Sequence, residues 1–182
     1  MPSTFFWGID HGAAGGTPER GNTSTTGVGN CSLINADNST TAFTSSTITA
    51  GNNSFIRYHW GLFSGSFNEV NTVKFNHVSG ALNAGITLKF RPSGSGWYAT
   101  PTATTLSTLI HDLTNTGLAA STGVAVLVGI TGPFADGKAA TTTTTPSYTE
   151  YLTLQLVTAS TTAAGNSTSA GNYAMQLAWN EN

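Results

Sequence analysis

Between residues 54 and 91 the chain alternates apolar and polar positions in three runs, separated by Gly/Ser/Asn clusters. In the first, Ile56, Tyr58, Trp60 and Leu62 fall on one face and Arg57, His59 and Gly61 on the other. In the second, Val73 and Phe75 oppose Lys74 and Asn76; in the third, Ile86, Leu88 and Phe90 oppose Thr87, Lys89 and Arg91. Successive strand side chains point to opposite faces, so this period of two predicts half-buried antiparallel strands. The alternation returns in residues 148–159, with Leu152, Leu154 and Leu156 inward and Thr153, Gln155 and Val157 outward. It closes the chain in residues 173–179, with Tyr173, Met175, Leu177 and Trp179 on one face. The Ser/Thr/Ala/Gly stretch between these last two runs predicts a terminal hairpin.

The rest of the chain supplies shorter signals. Residues 4–9 (TFFWGI) are an aromatic edge strand or an anchoring arm, and residues 11–26, rich in Gly, continue as a loop or extended arm. Residues 28–35 read as a strand, 36–39 as a turn, 41–49 as a Thr-rich strand or crossing, and 51–54 (GNNS) as a turn. The Pro and Gly residues of 92–96 end the third run, and 97–100 (WYAT) form a short aromatic strand. Leu106, Leu109, Ile110 and Leu113 stand at helical spacing, which predicts one short helix with Gly117 as its stop. Residues 124–130 (VAVLVGI) predict a central strand buried on both sides, and residues 139–146, with five consecutive Thr, a loop or extended edge. No repeat of fixed period occurs. About eight to ten strands result, an all-β chain with at most one short helix. The expected architecture is an antiparallel β-sandwich, jelly-roll or immunoglobulin-like, over residues 27–182, preceded by an extended arm over residues 1–26.

Composition sharpens this picture. Only 8% of the 182 residues are charged, against roughly 25% in average soluble proteins. Yet 38% are hydrophobic, enough for a core, so the chain does not have the composition of disorder. The surface must be polar and nearly uncharged. Net charge is −2 with six basic residues spread thinly, so no electrostatic footprint for nucleic acid is present. The single Cys31 excludes an intrachain disulfide and reads as a small buried hydrophobe. The N-terminus lacks the features of a signal peptide and no apolar run has membrane-spanning length. The chain is therefore expected to be made in a cytoplasm and to leave, if it does, by lysis or within a particle.

Candidate chemistry is sparse. The carboxylates Asp10, Glu19, Asp37, Glu69, Asp112, Asp136, Glu150 and Glu181 sit at expected turns or strand ends. None has the local spacing of a glycosidase pair, which requires two held about 5–10 Å apart. Asp10-His11 and His111-Asp112 are adjacent pairs, poor chelates on a strand because neighbours face opposite ways. His59 and His77 lie on neighbouring expected strands, where cross-strand polar packing or a metal pair would bring them face to face. No nucleophile elbow or phosphate loop occurs, and the N-x-[S/T] sequons follow from an Asn- and Thr-rich composition. The expectation is a non-enzyme with no cofactor, no metal, and no nucleic-acid or membrane partner. Exposed aromatics anchor interfaces or stack on sugars; the candidate partner contacts are Phe5, Phe6 and Trp7 of the arm and the pair Trp97-Tyr98.

Three stretches carry a resemblance: SFIRYHWGLFSGSFNEVNTVKF; GALNAGITLKF directly after it; and the ending YLTLQLVTAS…AGNYAMQLAWNEN. Together they resemble small all-β virion structural proteins of tailed bacteriophages, over roughly residues 54–182. The resemblance implies a virion location and a decoration or cement protein that binds the major capsid protein or other virion proteins. It brings no catalytic residues to carry over. A homo-oligomer, with a trimer favoured, is the expectation for that role. A tail-fibre, tail-tip or baseplate component, and a carbohydrate-binding or adhesion module on Trp97 and Tyr98, are the alternatives.

Overall fold

A computed structural model describes residues 4–10, 33, 35–37, 47–64, 70–93, 102–104, 111–113, 124–125, 147–148, 151–164 and 173–181. Nine strands are described: β1 (Thr4–Asp10), β2 (Arg57–Ser64), β3 (Val70–Ser79), β4 (Ile86–Ser93), β5 (His111–Leu113), β6 (Val124–Ala125), β7 (Ser147–Tyr148), β8 (Tyr151–Thr158) and β9 (Ala174–Glu181). All pairings are antiparallel. The described chain is thus all-β, and the alternating runs of the sequence are its longest strands.

The strands form two sheets. A six-stranded sheet runs β1-β2-β8-β4-β5, with β7 also paired to β2, and a three-stranded sheet runs β6-β3-β9. Two expectations about neighbours fail here. The last two runs are not a hairpin: β8 lies between β2 and β4 in the larger sheet, while β9 pairs with β3 in the smaller. Likewise β2 and β3 belong to different sheets, so Ser64 and Val70 end and begin strands that are not neighbours. Local alternation specifies which face a residue takes and is silent about which strand lies alongside.

Two shorter signals, the helix and the strand end at Pro92, also resolve differently. His111–Leu113 are a strand registered against Phe90, Lys89 and Leu88, so the expected helix does not reach them; residues 105–110 lie outside the described set. The open edge of β4 outweighs two turns of helical spacing, which are marginal without packing. Of the expected strand 124–130, Val124–Ala125 are described and pair with β3; residues 126–130 lie outside the described set. Strand β4 continues through Pro92, paired with Leu152 on β8. Its other neighbour, β5, pairs only as far as Phe90, so the missing proline donor sits where that pairing has already ended. Thr4–Asp10 take the edge-strand role, in unbroken register with β2 from Thr4↔Ser64 to Asp10↔Tyr58. Residues 11–26 and the expected boundary after residue 26 lie outside the described set, as do residues 28–32 and 41–46 of the two early expected strands.

The sheets share one core. Phe63, Leu88, Phe90, Leu152, Leu154 and Leu156 of the larger sheet meet Phe75 of the smaller. The ring pairs Phe75–Phe90 (5.2 Å) and Phe63–Trp179 (5.1 Å) join the sheets edge to face, a geometry that pairs each ring's positive edge with a negative face. The opposite side of the larger sheet is buried as well. There Ile56, Tyr58, Trp60 and Tyr151 form a second cluster, with Tyr58 and Tyr151 at 5.7 Å, edge to face. The expected half-buried strands are therefore buried on both faces at β2 and β8: Arg57, His59, Thr153 and Gln155 are all within 2% of full burial.

Gly8 explains how β1 seats on this second side. It is the register partner of Trp60, whose indole lies across it. A Cβ at residue 8 would stand 2.1 Å from Trp60 Cζ2, so the ring occupies the space a side chain would need. A Gly8→Ala substitution should lower stability by about 1–3 kcal/mol, the usual cost of overpacking. The unfolding midpoint in urea measures it, and a Trp60→Leu background should remove most of the loss.

Candidate functional site

The chain's buried polar groups gather on β2, β8 and the segment leading into β2. Four steps from Arg57 to Asn53 oppose three steps from Leu154 to Val157, so one extra residue is accommodated, a β-bulge. At the bulge, Ser54 N donates to Leu156 O (2.9 Å) and Leu156 N donates to the Ser54 hydroxyl (2.9 Å). The side chain thus stands in for the backbone acceptor that the bulge displaces. Ile56 N turns away to Thr102 O (2.9 Å). Gln155 Nε2 closes the arrangement by donating to Ser54 O (3.0 Å) and Thr104 O (3.2 Å). Gln155 sits at 0% exposure; the network satisfies its Nε2, while its buried Oε1 has no partner, a cost that falls on this strand.

On the other face of β2, Arg57 and His59 point into the layer shared with Leu152 and Leu154. Their register partners on β8 are those two leucines. Arg57 Nη1 lies 3.3 Å from Asp37 Oδ1, and Nη2 donates to Ala36 O. The Arg57 side chain is 3% exposed and that of Asp37 19%. Burial, and secondarily the positive charge of Arg57, push the His59 pKa down to about 3, so His59 is neutral at pH 7. Elsewhere, His77 stacks on Tyr173 at 4.5 Å and its Nε2 donates to Ser79 O at 2.8 Å. Burial raises the Tyr173 hydroxyl to about 12.

Three turns are tied together at one end of the molecule. Gly51, with φ of 84°, takes a backbone conformation open chiefly to glycine. Its N–H donates to Ala159 O (3.1 Å), while Ala159 N donates to Gly85 O (2.7 Å). The Thr158 hydroxyl donates to Asn52 O (2.7 Å) and that of Thr162 to Gly85 O (3.0 Å). Thr49, Asn52, Ala84, Ser160 and Thr161 stand exposed around these links. The described residues of the three turns carry no formal charge.

The candidate contacts separate in the structure. Phe5 is half-buried and packs 4.9 Å from Phe63 and 5.1 Å from Trp179, so it belongs to the core between the sheets. Phe6 and Trp7 occupy β1 opposite Leu62 and Gly61. Trp97 and Tyr98 lie outside the described residues. His59 and His77 do not face each other across a ladder, since they sit in different sheets; His59 is registered with Ile9 and Leu152, and His77 with Met175. Among the described residues, no three His, Cys, Asp or Glu side chains come together as a metal site, and no helix is long and apolar enough to cross a membrane.

The Arg57–Asp37 pair, Ser54 and Gln155 were not singled out from the sequence. A lone arginine inside an apolar run is a usable signal, because a buried guanidinium requires a partner. Nothing local identifies which of eight carboxylates supplies it. No family model, no curated protein and no solved structure matches this chain.

The His59 environment makes stability depend on pH. Above about pH 6.5 His59 is neutral in both folded and unfolded chains, and its contribution is fully present. As pH falls from there to about 3, the unfolded chain takes up the proton first and stability is lost, by roughly 5 kcal/mol over the whole window. Denaturant midpoints measured from pH 7 to pH 3 should fall steeply, and a His59→Gln variant should flatten that part of the slope.

Proposed function

We propose that this chain is a non-catalytic structural protein of a tailed-bacteriophage particle, a capsid decoration protein that binds the outside of the head and stabilises it. The observation that carries the reading is the burial of β2 and β8, at the middle of the larger sheet, on both faces. There the side chains of Arg57 and Ser54, and Gln155 Nε2, are bonded to Asp37 and to the chain's own backbone, which suits a rigid body that acts by shape. In this reading the two sheets and their common core are a β-sandwich, jelly-roll or immunoglobulin-like. The stretches that carry the family resemblance coincide with β2, β3, β4, β8 and β9, the framework strands.

The surface offered to a partner is the end with the three tied turns. It is uncharged among its described residues and built from Thr, Ser, Asn, Ala and Gly. Such a surface can be covered by a capsid protein, or by sister copies in a trimer, without the cost of desolvating ions. Hydrogen bonds already hold its turns, so little conformational freedom remains to be lost on docking. Phe5, committed to the core, leaves this role to the turns.

Purified protein added to mature virions and imaged by electron cryomicroscopy tests the proposal. Density repeated over the head at icosahedral positions is the expected result. Density confined to the tail would move the protein to a fibre or baseplate, and no binding would remove the virion role. A Thr161→Arg variant should lose about tenfold or more in binding, with an unchanged thermal midpoint, by burying an unpaired charge.

A further inference from the structure

Gln155 on β8 has no exposed surface, and the two polar atoms of its amide meet different surroundings. Nε2 donates to Ser54 O (3.0 Å) and Thr104 O (3.2 Å). Oε1 is buried and receives no hydrogen bond from the chain. Reversing the amide would set Oε1 against two carbonyl oxygens, so those carbonyls fix its orientation. The donors of the segments that carry them are turned elsewhere. The Ser54 hydroxyl donates to Phe55 O (2.9 Å), Ile56 N to Thr102 O (2.9 Å), Asn53 Nδ2 to Ala103 O (3.2 Å) and Thr104 N to the Thr102 hydroxyl (3.1 Å). A buried acceptor in this position calls for a donor from outside the chain. We propose that Gln155 Oε1 marks a binding site for one internal water molecule, at the junction of β8, the bulge before β2 and residues 102–104.

The chemistry of the junction selects this ligand. Ser54 O and Thr104 O, both bonded to the same amide, each have a second lone pair. The site therefore presents acceptors, and its occupant must donate. It must also be small, because Gln155 has no contact with solvent. A water molecule meets both demands. It gives one hydrogen to Oε1 and the other to Ser54 O or Thr104 O, as internal waters do when they join otherwise unsatisfied groups. A metal cation also suits carbonyl oxygens, but both of these already accept from Nε2, whose hydrogens would repel it. Lys89 lies beside Gln155 in register on β4 and is half-buried; to reach Oε1 its ammonium would have to enter a place closed to solvent, at a high desolvation cost. Residues 102–104 gain most from the water. Their three successive carbonyls take bonds from Ile56 N, Asn53 Nδ2 and Gln155 Nε2, and fixing Oε1 steadies the amide that makes the third. The inference rests on this network and not on the virion reading.

The chain's glutamines are Gln155 and Gln176, and Gln176 is exposed. Nitrogen-15 labelling of glutamine in the full chain therefore gives the buried amide and its control in one spectrum. The Gln155 side-chain protons should show water cross-peaks of opposite sign in NOE and ROE spectra, the mark of a water that stays longer than the molecule takes to tumble. Gln176 should show none. Long-lived waters counted by oxygen-17 relaxation dispersion should be one fewer in Gln155→Met. Absence of a long-lived water at Gln155 would overturn the proposal. So would an unchanged count in folded Gln155→Met, a Lys89 ammonium contact in the water's place, or a saturable shift of the Gln155 amide on titration with sodium or potassium chloride. If Gln155→Met does not fold, the spectra of the unmutated protein decide alone.

Discussion

Strand β8 imposes the condition that the rest of the described structure satisfies. It is paired with β2 and the residues before β2 along one edge and with β4 along the other. Both its faces are covered, so Tyr151 through Leu156 are all buried. A strand in that position has no bulk water to solvate anything it carries. Polar groups there depend on partners within the chain, and those of Leu156 N and Gln155 Nε2 come from irregular backbone, while Gln155 Oε1 is left without one. The bulge before β2 aims Ser54 at Leu156, and Gln155 reaches the carbonyls of Ser54 and Thr104. Irregularity in the flanking segment is thus the counterpart of regularity in the strand.

The two faces of the larger sheet solve different packing problems. Toward the smaller sheet, leucines and phenylalanines interdigitate, with Trp179 and Phe5 closing one margin. On the far side the tyrosine pair and Trp60 cover the strands, and Gly8 yields the room that Trp60 needs. A large ring over a cross-strand glycine shields backbone that would otherwise stand open, a device known to support weak strand positions. Arginine and histidine occupy the leucine side, where one is paired and the other neutral.

Much of this was legible from alternation alone. Strands β2, β3, β4, β8 and β9 coincide with the alternating runs, because a period of two is a local property of sequence. The inward positions of Leu152, Leu154 and Leu156 followed too. What alternation could not show is whether the second face is covered. Thr153 and Gln155 read as outward because polar residues usually meet water, and only the segment 53–56, the Thr102–Thr104 stretch and the tyrosine cluster reveal otherwise. Strand partners were hidden for a related reason. A turn-like stretch before β3 and a Ser/Thr/Gly stretch before β9 look the same whether the chain doubles back or crosses to another sheet. In the candidate site, Arg57 carried a signal, a charge within an apolar run, but alternation placed it only on the polar face. Its counterion Asp37, 20 residues away, had no signal of its own.

The position of β8 also bears on how the chain reaches its fold. Its neighbours are made long before it: Arg57 must meet Leu154, and Ile86 must meet Thr158. Until the ribosome has delivered β8, β2 and β4 have no common neighbour and each presents an open edge. Pairings of this sequence separation carry a large loop-closure cost and form slowly. The early strands therefore wait, with Trp60, Phe63 and Phe90 still uncovered, in the state most open to association with other nascent chains. Closure of the larger sheet waits on β8, which acts as its keystone.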